Sequence, residues 1–162
     1  MQKLISDELN AALCEQIGHE KFNASLYLFI GAFLKNKGLD GLAKHFYEQH
    51  DEENHHSLMI TEILTDLNSP VIIPEIDEVD LTFGSIMDIA LAYLNREILT
   101  TESLDAIKHL AIDEENPVVE EAMRDMVKLQ RNEYEEATTW NDRAELTGGN
   151  WMNVFIWDLG VK

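Results

Sequence analysis

Four long stretches of the chain carry core-type residues at alternating spacings of three and four, the period of a helix with one buried face. The first reads Leu13, Ile17, Glu20, Ala24, Tyr27, Gly31, Leu34, and the second Leu42, Phe46, Gln49, Glu53, His56, Ile60, Ile63, Leu67. The third reads Ile86, Ala90, Tyr93, Glu97, Thr100, Leu104, Ile107, and the fourth Val119, Met123, Met126, Gln130, Glu133, Ala137, Trp140, Ala144. Punctuation residues set the limits. Ser6 or Asp7 caps a helix α1 predicted over residues 6–37 and stopped by Gly38. Asp40 starts α2, over residues 40–67, and Asn68-Ser69-Pro70 ends it. Helix α3 spans residues 85–112, and Asn116 with Pro117 opens α4, residues 117–146, ahead of Gly148-Gly149. A short, Trp-rich α5 follows over residues 150–159. Residues 69–84 hold Pro70 and Pro74 and have no helical period, so they read as a long crossover.

The expected fold is therefore all-α, in one domain over residues 1–162. Short turns join α1 to α2 and α3 to α4, and one long connection joins α2 to α3, which is the one-crossover topology of ferritin-like four-helix bundles. The cytokine arrangement needs two long crossovers, and these turn lengths disfavour it.

Each stripe turns polar near its middle, at matched positions. Glu20 and Glu53 are as far apart in sequence as Glu97 and Gln130, and His56 follows Glu53 by three residues as Glu133 follows Gln130. All six can ligate a metal. In dinuclear helical bundles, lone Glu residues on two helices face Glu-x-x-His pairs on the others. Isolated buried carboxylates cost several kcal/mol each, so four in one core call for a shared cation. The bland alternative tips Glu20 and Glu97 towards solvent and basic partners. In the metal reading, Glu20, Glu53 and His56 hold one ion, Glu53 bridges, and Glu97 and Glu133 hold the second. One imidazole among hard oxygen ligands suits iron or manganese. Gln130 is read in two ways: a deliberately weak ligand that lets an oxidised ion leave, or a hydrogen-bonding residue that orients Glu97 or Glu133. Tyr27, two turns after Glu20, either bonds a ligand carboxylate or donates an electron during oxygen reduction, or is a satisfied core tyrosine. His19, His45, His50, His55 and His109 fall off the seams and read as surface residues. Met59, Met87, Met123 and Met126 read as core filler.

Composition narrows the function. With 31 Asp+Glu against 12 Lys+Arg the formal charge is −19, which disfavours nucleic acid and anionic membranes as partners. The excess serves either solubility or the gathering of cations. No apolar run approaches the ~20 residues of a membrane span. The start MQKLISDELN lacks the apolar centre of a secretory leader. The single Cys14 permits no internal disulfide and no cysteine-based metal site. A cytoplasmic location is expected.

The chain resembles bacterial non-haem ferritins from about Leu4 to Leu159. The resemblance rests on CEQIGHEKFNASLYL with Glu20 and Tyr27, HDEENHH with Glu53 and His56, NRE with Glu97, and KLQRNEYEE with Gln130 and Glu133. It implies a homo-oligomeric cage of 24 subunits that oxidises Fe(II) with dioxygen at an intrasubunit di-iron ferroxidase centre and stores a ferric oxyhydroxide core. Of the further glutamates that build a third iron site in such proteins, Glu52 matches one, while Leu129 and Asn132 replace two others. Bacterioferritins repeat Glu-x-x-His on the fourth helix and place a haem-binding Met beside the second-helix Glu; Gln130-x-x-Glu133 and Asn54 stand here, so haem is not expected. The Cys-rich domain of rubrerythrin is absent, and the ligand set within one chain differs from the intersubunit site of the Dps class. The resemblance also places Glu120 and Glu121 at acidic openings through which iron enters; their bland reading is two acidic residues near a helix start. Two other functions stand beside this one: a storage shell with a weak oxidation site, and a di-iron oxidase acting on an organic substrate.

Overall fold

The structure, a computed structural model, describes residues 4–161. The first three positions of the N-terminal stretch read for a leader, and Lys162, lie outside the described residues. Five helices follow in order: α1 Asp7–Asn36, α2 Asp40–Asp66, α3 Ile86–Asp113, α4 Pro117–Leu146 and α5 Trp151–Leu159. The first four form a bundle in which α1 packs against α2 and α3 against α4, with α1 also touching α3. Residues 69–84 cross without helix between the two pairs. No helix of the described residues is long and apolar enough to cross a membrane.

The helix ends follow local chemistry. Ser6 accepts from Leu9 N at the start of α1. Gly38, at φ 78°, turns the chain out of α1 while Leu39 N bonds back to Leu34 O. Ser85 and Asp88 form a capping box on α3, and Asn116 with Pro117 opens α4.

Helix α2 begins at Asp40 as expected, and its N-cap is Leu39, whose side chain cannot cap. The acceptor comes from the far end of the chain: Asp158 of α5 takes the Leu42 N–H at 2.8 Å. Gly41 permits this docking, since a Cβ there would lie 2.7 Å from Asp158 O. Trp157 of α5 completes the seat against Trp140, with ring centroids 4.5 Å apart.

The core divides into two apolar halves. One gathers Tyr27, Leu34, Leu42, Phe46, Ile89, Tyr93 and Trp140 at the α5 end. The other gathers Leu9, Leu13, Ile17, Ile60, Leu64, Leu104, Met123 and Met126. Between them the four seams place Glu20, Glu53, His56, Glu97, Thr100 and Gln130, all buried. A helix cap is worth about 1 kcal/mol. Asp158→Ala is therefore expected to lower unfolding free energy by about that amount in urea, and Asp158→Asn, which keeps an acceptor oxygen, by less. An alanine variant as stable as the asparagine variant would contradict the remote cap.

Candidate metal centre

Glu20 on α1 and Glu53 and His56 on α2 bring ligand atoms within 4.8 Å of one another, all three residues buried. Glu53 and His56 share a face because they are one turn apart, with His56 Nδ1 3.7 Å from Glu53 Oε1. Gln16 Nε2 donates to Glu20 Oε1 at 2.7 Å, and Asn23 Nδ2 reaches Glu53 Oε2 at 3.4 Å. Glu97 faces this trio from α3. The Tyr27 hydroxyl donates to its Oε1, and Gln130 Nε2 donates to its Oε2 at 2.7 Å.

The second set is less closed than the first. Glu133 is half-buried, and its carboxyl meets that of Glu52 in a hydrogen bond. Gln130 thus takes the orienting position towards Glu97, one of its two sequence readings. Tyr27 holds a ligand carboxylate, that of Glu97, as one of its readings has it.

The electrostatics are those of a site waiting for positive charge. Burial pushes Glu20 well above the ordinary carboxyl range, and the neighbouring Glu53 adds to it. Burial likewise raises Glu53 to about 8, with further pressure from Glu97 and Glu133. Glu133 rises to about 9 through burial and contact with Glu52. Glu97 rises through burial against the opposing bonds from Tyr27 and Gln130. Glu20 Oε2, Glu53 Oε1 and Glu133 Oε2 are buried without hydrogen-bond partners. Unpartnered buried carboxylate oxygens are expensive, and a cation among them supplies what the protein does not. Hard oxygens with one imidazole fit an iron-like divalent ion.

Several functional neighbours escaped the sequence. Gln16 and Asn23 lie four before and three after Glu20 on the same face of α1, a spacing that marks them in retrospect. The surface assignment of three histidines is corrected. His19 and His45 are largely buried, which lowers each to about 4. His50 is half-buried, with Nδ1 2.7 Å from Ala24 O. His55 and His109 are exposed. Asn54 donates to His50 O at 3.1 Å. Glu120 pairs with Arg124 at 2.6 Å, and Glu121 is exposed. Leu129 and Asn132 are exposed on α4.

In the metal-free protein the site carboxyls keep protons that the unfolded chain would have released above its ordinary value of 4.5. The folded state then binds more protons than the unfolded state, so stability falls as pH rises from about 4.5 to 8–9. Denaturation of the metal-free protein across that range is expected to show a steeper decline than Glu53→Gln. Saturating divalent cation is expected to flatten it. A parent slope no steeper than the variant's would contradict these raised values.

Comparison with known proteins agrees with this architecture. A family model described as a ferritin-like domain matches residues 10–147. A ferritin, BfrB, of Mycolicibacterium smegmatis is 31% identical over 93% of this chain and 83% of its own. A bacterial non-heme ferritin of Staphylococcus epidermidis is 31% identical over 67% of this chain and 65% of its own. In fold, the chain superposes with a TM-score of 0.92 on an open pore ferritin from the archaeon Archaeoglobus fulgidus, at 20% identity and 97% coverage of both chains. With a polar belt of inward carboxylates, a one-crossover bundle and a family match over most of its length, the chain belongs to the bacterial ferritin family.

Proposed function

We propose that this protein stores iron, oxidising Fe(II) with dioxygen at a di-iron ferroxidase centre within each chain and depositing ferric oxyhydroxide inside a homo-oligomeric cage of 24 copies in the cytoplasm. The observation that carries this reading is the layer of buried carboxylates with three unpartnered oxygens crossing the centre of the bundle. Exposed apolar side chains support assembly: Met152, Ile156 and Leu159 on α5 and Leu28 and Leu91 on α1 and α3 leave apolar surface for neighbouring copies.

Iron is the substrate here. Glu20 and His56 hold one Fe(II), Glu97 and Glu133 hold the other, and Glu53 lies between them. Binding displaces protons from the raised carboxyls, so the site exchanges protons for cations as it fills. Two Fe(II) give one electron each to dioxygen, which takes up two protons and leaves as hydrogen peroxide, while the Tyr27 hydroxyl holds Glu97 in place. Gln130 commits its amide N–H to Glu97 and adds no negative charge. The oxidised ions are therefore held by fewer charges and move on to the mineral. Asn54 offers no thioether beside Glu53, so the proposal includes no haem.

Stopped-flow oxidation of Fe(II) tests the reading. Glu53→Ala removes the shared ligand and is expected to slow the fast phase by about 100-fold or more, at or above the upper end of what loss of a supporting group costs a metal site. Gln130→Glu adds a carboxylate whose attraction to a trivalent ion grows in a partly dry core. Its first turnover is expected to stay fast, with later iron additions oxidised slowly. An unchanged rate in Glu53→Ala would refute the site. Parent-like recovery between additions in Gln130→Glu would refute the role of Gln130.

A further inference from the structure

Asn23 is fully buried on α1, one turn after Glu20, and the ligand assignments leave it without a task. Its amide joins a closed loop of polar groups from α1 and α3. Asn23 Oδ1 accepts from Arg96 Nε at 2.6 Å. Asn23 Nδ2 donates to Thr100 Oγ1 at 3.0 Å and faces Glu53 Oε2 at 3.4 Å. The Thr100 hydroxyl gives its one proton to Arg96 O at 2.9 Å, so its oxygen only accepts from the other neighbours. His19 Nε2 lies 2.7 Å from that oxygen. Arg96 Nη2 faces the same ring, 3.3 Å from Nδ1 and 3.4 Å from Nε2. Arg96 can only donate, so it fixes Asn23 Oδ1 as the acceptor and Nδ2 as the donor. A flipped Asn23 amide would set N–H against the Arg96 N–H, and its carbonyl against both Glu53 and the Thr100 oxygen. Arg96 is itself held over the Phe22 ring, 4.7 Å from its centroid.

The loop therefore treats the two oxygens of Glu53 differently. Oε2 faces a fixed amide N–H, while Oε1 has no partner and lies on the His56 side. A hydrogen bond to a carboxylate oxygen draws on the electron pairs it would give a cation. We propose that Asn23, locked by Arg96, Thr100 and His19, is a positioning residue. It holds Glu53 Oε2 on an amide N–H, so that Oε1 is the stronger donor and the cation held with Glu20 and His56 binds ahead of the second. This rests on the two-metal reading above.

Anaerobic titration with Co(II), followed by its visible absorption, tests both. The parent is expected to take two Co(II) per chain at absorbing sites, in two resolved steps. Asn23→Leu removes the donor, and Arg96→Met removes the group that orients it. Each is expected to bring the two affinities together by about tenfold, the lower range of what one hydrogen bond to a charged group contributes. Arg96→Lys, which restores a donor for Asn23 Oδ1, is expected to return the separation towards the parent's. An unchanged ratio in Asn23→Leu and Arg96→Met would overturn the proposal, as would equal weakening of both steps, the mark of a merely structural role. Should Asn23→Leu fail to fold, Arg96→Met decides alone. Fewer than two Co(II) in the parent, or uptake that survives Glu53→Ala, would instead overturn the two-metal reading.

Discussion

Four carboxylates on four helices cannot be buried together as anions without positive charge among them, and the rest of this bundle is arranged around that constraint. Glu20, Glu53 and Glu97 are fully buried, and Glu133 is half-buried at the edge of the same layer. The two apolar half-cores above and below them are ordinary helix packing. They set the positions from which the four helices turn these carboxylates towards one another. Burial raises Glu53 and Glu133 towards protonation, which relieves the conflict when no cation is bound. Replacing the central layer with apolar residues would relieve the conflict outright, since well-packed hydrophobic groups often match or exceed a buried ion cluster in stability. The layer is a burden on the fold that makes sense as a binding site.

The seams, the caps of α1, α3 and α4 and the single crossover were legible because each depends on near neighbours in sequence. Periodicity shows which residues share a helix face, and Ser6, Ser85 and Asn116 act within their own turns. The trio Glu20, Glu53 and His56 was legible for the same reason: two seams and one i, i+3 pair bring it together. What escaped depends on the third dimension. Asp158 caps a helix 116 residues away, and no local pattern announces it. His19 and His45 sit off the seams yet are enclosed, because the outer flanks of a bundle helix are covered by its neighbours. Glu133 lies on the seam, but its carboxyl meets that of Glu52, a contact between α4 and α2 that spacing does not determine.

Gln130 and Asn23 show how neutral amides shape an acidic site. Each is buried and each donates to a different carboxylate, Gln130 to Glu97 and Asn23 to Glu53. Neither adds charge. Amides in these positions fix the direction of the carboxylates without adding to the negative charge.

The central claim is that the carboxylate layer holds two metal ions within one chain. Crystals of the oligomer soaked anaerobically in Fe(II), with iron located by its anomalous scattering, test it directly. The account predicts two irons ~3.5–4 Å apart, the usual spacing of two-metal sites. Glu20 and His56 should bind one, Glu97 and Glu133 the other, and Glu53 should bridge. A single iron, or iron bound by side chains from two different subunits, would contradict it.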